Sequence, residues 1–191
     1  MNRLFKHAVM VTTMLAAASF AACDDDDDKG GNEGPATPYL GEYAGTYVCS
    51  APGADGTYTQ IAQDNIAFTA TEKAITIPSF PLKNLIDVLG QQGIIPENLL
   101  PALQNLTVSY TLGIGTVSET GGVYTAPTST PAITLMDNTV TVTLSSPAPM
   151  TYTESKSEMQ FHMTIDNVTV GEKDPTQLGF KFDITGTKKQ N

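Results

Sequence analysis

The segment Thr139–Leu144, which reads Thr-Val-Thr-Val-Thr-Leu, gives the clearest indication of the fold. Successive side chains of a strand point to opposite faces of a sheet, so the two valines and the leucine share one face and the three threonines share the other. This alternation is typical of a strand with one buried face and one hydrated face. The segment therefore predicts an antiparallel sheet whose outer face is solvated.

Apolar and polar side chains alternate in the same way over 159–165 and 178–184. The alternation shifts by one residue at Asp166 and Asn167, which predicts a turn or a β-bulge there. Further strand-like segments, interspersed with Gly, Pro, Asn and Asp, lie at 40–49, 57–62, 65–70, 74–77, 106–114, 122–126, 132–136 and 150–154. The fold is therefore predicted to be mainly β, with α+β at the margin: an antiparallel barrel or sandwich of about nine or ten short strands.

The region near 81–105 has a helical pattern instead. One helix face, with the spacing i, i+3, i+4 and i+7, is formed by Leu82, Leu85, Ile86 and Leu89. Pro81 suits a first helical position, Gly90 or Gly93 can end the helix, and Pro96 opens a second, shorter turn. We expect this helical hairpin to close an open end of the sheet core. The alternative is a lid or a docking surface, and the exposure of the apolar residues distinguishes the two.

Residues 1–22 have the features of a secretory signal peptide. Arg3 and Lys6 form a positive n-region, and the apolar stretch 8–18 leads to small residues before Cys23. This stretch is shorter than the ~20 residues that a membrane-spanning helix needs, and an acidic run follows it. We therefore expect residues 1–22 to be removed from a secreted chain.

The residues Phe20-Ala21-Ala22-Cys23 resemble the lipobox of bacterial lipoproteins. In that motif a peptidase cuts before the cysteine, whose thiol carries a diacylglycerol. Small residues fit the peptidase, and a thiolate is nucleophilic enough to accept the lipid. The resemblance implies that lipidated Cys23 anchors the chain on a membrane. The alternative is ordinary signal-peptidase cleavage after Ala21 or Ala22.

An acidic run follows the cysteine directly and consists of Asp24, Asp25, Asp26, Asp27 and Asp28. It resembles the export signal of surface lipoproteins of Bacteroidetes, which implies a lipid anchor in the outer membrane with the domain on the cell surface. Two other interpretations stay open. An aspartate after the cysteine retains some lipoproteins at the inner membrane, and a run of like charge also serves as a solvated spacer. In either case residues 23–38 form an acidic, glycine-rich linker.

Residues 39–191 are predicted to form one β-rich domain, long enough to bury a core. Loss of Arg3 and Lys6 changes the formal net charge from −10 to −12 and leaves no arginine. Such a chain repels nucleic-acid backbones and lacks the side chain best suited to phosphate, so nucleic acid is excluded as a partner. With Cys23 lipidated, Cys49 has no partner for an intramolecular disulfide.

The segment Tyr39–Tyr47 contains a Gly-x-Tyr-x-Gly pattern formed by Gly41, Tyr43 and Gly45. It resembles the opening strand of calycin-like barrels in Bacteroidetes lipoproteins. The whole chain is similar to small surface lipoproteins of that group that carry a domain of unknown function. Lipocalins have Trp after the first Gly, and this chain contains no Trp, so the resemblance does not extend to the lipocalins themselves. As a barrel, the domain is predicted to hold an apolar cavity lined by Met159, Phe161, Met163, Phe180 and Phe182.

Residues typical of catalysis are sparse. His162 is the only histidine after the signal peptide and lies on the polar face of a strand, and Cys49 is expected in the core. Acids that could form a pair are Glu154, Glu158, Asp166 and Asp183, and tyrosines that could stack on a sugar are Tyr110, Tyr124 and Tyr152. Packing is the more common role of such tyrosines. No catalytic residue, metal site or cofactor is predicted.

Three hypotheses about function follow. The first is a non-enzymatic module on a lipid tether that binds a small apolar ligand or a surface protein partner. The second is an extracellular glycan hydrolase, which requires two carboxyl groups about 5–10 Å apart in a cleft. The third is a purely structural envelope protein.

Overall fold

The computed structural model describes residues 37–137 and 139–190. Their strands are β1 (Gly41–Pro52), β2 (Tyr58–Ala70), β3 (Ala74–Phe80), β4 (Val108–Ile114), β5 (Ser118–Thr120), β6 (Val123–Ala126), β7 (Thr128–Ser129), β8 (Ile133–Leu135), β9 (Val140–Ser145), β10 (Met150–Thr153), β11 (Glu158–Val170) and β12 (Thr176–Lys188). The helices are α1 (Lys83–Gln91) and α2 (Leu100–Gln104), and a 3-10 turn covers Glu154–Lys156.

The strands form one curled, half-barrel sheet in which all neighbours are antiparallel. The order along the sheet is β5-β6-β10-β11-β12-β1-β2-β3-β4-β7, and β9 and β8 extend the sheet beside the second half of β11. The prediction of a mainly β, antiparallel fold is confirmed. The strands β5 and β7, of three and two residues, were not predicted. Such short segments carry too few side chains for alternation to be recognised.

The two ends of this strand order are joined by the chain itself. β6 pairs with β10, β7 pairs with β4, and Pro127 alone separates β6 from β7. The continuous segment 123–129 therefore has one half beside β10 and the other half beside β4. This arrangement favours a barrel over two stacked sheets.

The first and last of the described strands, β1 and β12, come into close backbone contact at Gly45 and Gly186. These two glycines face each other across the β1–β12 pair. A Cβ atom at Gly45 would overlap the carbonyl oxygen of Thr185, and a Cβ atom at Gly186 would lie 2.6 Å from the ring of Phe68. The missing side chains thus allow both backbone contact and close ring packing.

A bulge occurs where the alternation shifts in the sequence. The register of β11 against both β9 and β12 changes between Ile165 and Asn167, as predicted. Asp166, which is the extra residue against β9, accepts a hydrogen bond from the Ser145 hydroxyl at 2.9 Å. The bulge restores the buried phase of the strand, because Val168 and Val170 then face the core.

The prediction of separate strands at 57–62 and 65–70 is wrong. Both segments belong to the single strand β2, in which Asp64 and Asn65 are exposed strand residues rather than a turn. Polar residues are tolerated there because both faces of this half of β2 contact solvent, so the alternation that marks a half-buried strand is lost.

The helical hairpin buries its apolar stripe. Leu82, Leu85, Ile86 and Leu89 are each at most 3% exposed. Gly93, with a positive φ of 68°, ends the first helical region, and the Ile94 amide donates to the Leu89 carbonyl. This burial favours the interpretation as a plug over that as a lid. No helix among the described residues has the length and apolar character needed to cross a membrane.

We predict that Gly45→Ala lowers the free energy of unfolding by about 1–3 kcal/mol, because the added methyl group must displace the backbone of β12. Chemical denaturation monitored by circular dichroism measures the change. Ala44→Ser, which adds one atom at the neighbouring exposed position, should change the stability by less than about 0.5 kcal/mol. Equal stability of Gly45→Ala and the wild-type chain would contradict close approach at this point.

Candidate functional site

The five residues predicted to line a cavity lie together in the core. They come from two adjacent strands, β11 and β12, in which Met163 pairs with Phe182 and Ile165 with Phe180. All five are buried, with at most 3% of any of them exposed. The sequence pattern therefore identified neighbours that share one inward face.

The aromatic rings among these residues contact other rings of the same chain. Phe161 meets Phe68 edge-on, with centroids 5.1 Å apart. Phe182 lies between Tyr47 at 6.0 Å and Phe80 at 5.5 Å. Such contacts stabilise a core and use ring surface that an apolar ligand would need. The ligand cavity stays a prediction.

Two open depressions lie elsewhere on the surface. One, of about 430 Å³, is lined by Pro52, Asp166, Asn167, Gln177, Leu178 and Gly179. The other, of about 610 Å³, is lined by Ala44, Gly45, Thr46, Asn65, Ile66 and Ala67. Neither contains any of the five core residues, so these concave surfaces are separate from the predicted cavity.

Three buried tyrosines have their hydroxyl groups paired within the domain. The Tyr43 hydroxyl donates to the Tyr39 carbonyl at 2.6 Å, and the Tyr110 hydroxyl donates to the Pro131 carbonyl at 2.9 Å. The Tyr47 hydroxyl accepts a hydrogen bond from the Asn84 amide at 3.1 Å. Burial raises the pKa of all three phenols, so they stay neutral at physiological pH. Their role is packing with a satisfied polar end.

Cys49 is a core residue, as expected from the sequence. It is fully buried on β1, and burial raises the pKa of its thiol to about 12. A thiol is a nucleophile only after it loses its proton, so Cys49 is unsuited to covalent catalysis.

His162 lies on the outer face of β11, opposite Asp183 of β12. Its Nδ1 is 2.6 Å from the Asp183 Oδ1, and the two side chains are 40% and 53% exposed. A catalytic dyad also requires a nucleophile or a bound water that the base can activate. Among the hydrogen bonds of residues 37–137 and 139–190, the His162 ring contacts only Asp183. The contact is therefore a cross-strand surface pair.

The candidate acids do not converge on one place. Glu158, Asp183 and Asp166 follow one another along the β11–β12 pair at steps of about four residues, or ~13 Å. Each has its own partner: Glu158 accepts from the Gln160 amide, Asp183 pairs with His162, and Asp166 accepts from Ser145. These three do not meet the spacing of a glycosidase pair.

A second group of acids surrounds Gly122, in the turn between β5 and β6. Glu119 Oε1 accepts a hydrogen bond from the Gly122 amide at 2.8 Å. Glu154 Oε2 lies 3.8 Å from the place that a Cβ atom would occupy at Gly122. The two carboxylates are thus within about 10 Å of each other, the range used by glycosidases. Both are exposed, and Glu154 also holds the turn through its backbone amide, which donates to Gly122. The sequence did not identify Glu119, because the tight turn that brings it to Glu154 depends on strand pairing.

Tyr124 and Tyr152, two of the proposed sugar-stacking residues, lie next to this turn. Their ring centroids are 6.0 Å apart, and Tyr39 lies 6.0 Å from Tyr124 on another side. Tyr152 and Tyr39 are buried, which leaves only part of Tyr124 accessible. Desolvation raises the pKa of Tyr124, and Glu154 and Glu119 raise it further. These rings pack against one another and leave no free aromatic platform among them. Tyr110, the third tyrosine, is in the core, where its ring contacts Phe80 with centroids 5.2 Å apart.

The N-terminal predictions lie outside the described residues. They comprise the signal peptide, lipidated Cys23 and the export signal Asp24–Asp28. Within the described ranges, no three His, Cys, Asp or Glu side chains are grouped so that they could hold a metal ion.

Comparisons with protein-family models, with curated proteins and with solved structures find no match to this chain.

Proposed function

We propose that this chain is a lipid-anchored, extracytoplasmic module that binds a protein partner through the outer surface of its β-domain. The observation that carries the proposal is that rings among the predicted cavity residues contact other rings of the same chain. The helix α1 also buries its apolar stripe. We therefore favour binding through the outer surface of the domain, and a protein partner over a small apolar ligand.

The chemistry of the surface agrees with binding rather than catalysis. The pairs that resemble catalytic groups, His162 with Asp183 and Glu119 with Glu154, sit at exposed positions outside the two depressions. Efficient acid–base chemistry uses groups held in a site that excludes water. A hydrolase is therefore the less favoured function.

The tether joins the domain next to the first residue of β1. Tyr39 is 5% exposed, and the Pro38 carbonyl accepts a hydrogen bond from Lys188 Nζ at 2.8 Å. From there β1 runs for 12 residues, about 40 Å, to the turn at 53–57. We name this turn the distal turn, because it lies at the end of β1 away from Pro38, where the tether joins the domain.

We predict that Cys23→Ala moves the chain from the membrane fraction to the soluble fraction, because no acyl chains can then be attached. Fractionation followed by mass measurement of the mature N-terminus checks both location and lipid. Cys49→Ala, which removes the other thiol, should stay in the membrane fraction. An unmodified Cys23 in the wild-type chain would contradict the anchor.

A fluorescent fatty acid, cis-parinaric acid, tests the small-ligand alternative. We expect the wild-type domain to give no saturable fluorescence increase, because Phe161 and Phe182 already contact aromatic neighbours. Saturable binding of one molecule per chain would support the cavity predicted from the sequence and contradict a filled interior.

Photo-crosslinking on intact cells tests the protein-binding function itself. A benzophenone side chain at Ala54, in the distal turn, should yield a discrete crosslinked protein after irradiation. The same side chain at Thr187, an exposed position near the tether, is the matched control and should not yield that product. The absence of crosslinks from Ala54 and from other distal positions would favour a purely structural envelope role.

A further inference from the structure

The strand β2 extends well beyond its partner β3. Every residue of β2 except Ile61 pairs with β1, but only Thr69 and Ala70 pair with β3. We name residues 58–67 the free edge of β2, because no other strand of the described part of the chain pairs with them on that side. This segment starts immediately after the distal turn.

The free edge presents backbone donors in a fixed direction. The Thr71 amide donates to the Ala74 carbonyl at 2.8 Å, so its N–H group points to the β3 side. Directions alternate along a strand, so the amides of Gln63 and Asn65 point to the same side. The Asn65 amide is bonded there by the Asp64 carboxylate at 2.7 Å, in place of a strand partner. The Asp64 carboxylate thus accepts the hydrogen bond that the carbonyl of a neighbouring strand would otherwise accept.

The surroundings of the free edge are open and partly apolar. Tyr58 and Ile61 are 43% and 37% exposed, and side chains on both faces of this half of β2 contact solvent. At the other end of the edge, residues 65–67 line the open depression of about 610 Å³. An extended chain laid along the edge would meet backbone groups and the Ile61 side chain without displacing another element.

We infer that the free edge of β2 receives an extended, cationic segment of a protein partner, which adds to the sheet as a further strand. This inference rests on the proposed protein-binding function and names its place and mode. Backbone pairing gives affinity in such complexes, and flanking side chains give specificity. The charge of the edge selects a Lys- or Arg-bearing segment, because Asp64 lies on the edge, Asp55 lies in the distal turn, and the chain without residues 1–22 has a formal charge of −12. Lys181, the nearby cation, is held over the Tyr58 ring at 3.6 Å.

A second copy of this chain is the less suitable occupant. Two chains that each carry a large negative charge repel one another at low salt. The register of β1 against β2 also shifts between Cys49 and Ser50, which leaves Ile61 as an extra residue in β2. Antiparallel self-pairing of residues 58–65 would bring two such bulges together at its centre, where ladder hydrogen bonds are lost.

The decisive experiment measures binding of the peptide Lys-Thr-Val-Arg-Val-Thr-Val-Lys to the mature chain by calorimetry. Gln63→Pro removes an outward N–H group but no bond to β1, so the edge strand should tolerate it. We expect Gln63→Pro to weaken binding at least about tenfold, because ladder pairing is blocked. Gln63→Ala keeps the N–H group and is the matched control, with affinity close to wild type. Circular dichroism checks that each variant is folded.

Two further measurements keep the inference testable even if Gln63→Pro does not fold. A peptide methylated on alternate backbone nitrogens cannot pair with a strand and should not bind. Asp64→Asn should weaken binding of the unmodified peptide by about two- to five-fold at low salt, and high salt should remove that difference.

Equal binding by wild type and Gln63→Pro, or binding of the methylated peptide, would overturn the inference. A chain that dimerises in sedimentation, and loses the dimer on Gln63→Pro, would assign the edge to a second copy and overturn it too. Crosslinks from Ala54 that persist in Gln63→Pro would refute this edge while leaving the proposed protein-binding function intact. Loss of the crosslinks in Gln63→Pro but not in Gln63→Ala would support both.

Discussion

The close approach of β1 and β12 at Gly45 and Gly186 is the constraint on which the rest of the half-barrel sheet depends. It joins the first and last strands of the domain, and it opens the space that the Phe68 ring fills above Gly186. Phe68 then stacks on Tyr43 with centroids 4.9 Å apart and an interplanar angle of 5°, and it meets the edge of Phe161. Strands from the start, the middle and the end of the chain are thus fixed by one group of rings. Because interiors are packed to near-crystalline density, a single methyl group in this contact affects all of them.

The packing of aromatic rings in the core bears on where the domain can bind a partner. Contacts between side chains from several strands stabilise the half-barrel, and the helical hairpin adds its buried leucines and isoleucine to the same core. The groups that carry chemistry, His162 and the exposed acids, are then left on a hydrated surface, where water screens them from one another. The proposed binding through the outer face uses surface shape and backbone groups rather than these side chains. Such binding depends on a surface whose shape and backbone groups are fixed in position. The long β1–β2 and β11–β12 pairs fix both.

The sequence predicted those features that depend on neighbours along the chain. The alternation at 139–144, the bulge at Asp166 and the helical stripe of Leu85 and Leu89 are local patterns, and each was found where it was expected. The division of β2 was wrong because its exposure on both faces is a property of the assembled sheet, which local polarity does not encode. The same reason applies to the surface pairs. The opposition of His162 and Asp183, and the meeting of Glu119 and Glu154 beside Gly122, follow from strand register and turn geometry, not from spacing in the sequence.

The free edge of β2 shows how one strand can be both protected and available. Unpaired edges promote aggregation, and proteins limit this with bulges and charges. Here the bulge at Ile61 bends the edge, and the Asp64 carboxylate occupies the Asn65 amide. The bulge and the carboxylate both disfavour pairing with a second acidic copy of the chain. That copy would have to fit the bend at Ile61 and bring its own Asp64 close to this one. A cationic strand meets a different balance: it must release the Asn65 amide from Asp64, a loss of about 0.5–1.5 kcal/mol, and it gains an ion pair with the freed carboxylate in addition to the ladder bonds. The arrangement that resists self-association therefore favours a partner of opposite charge.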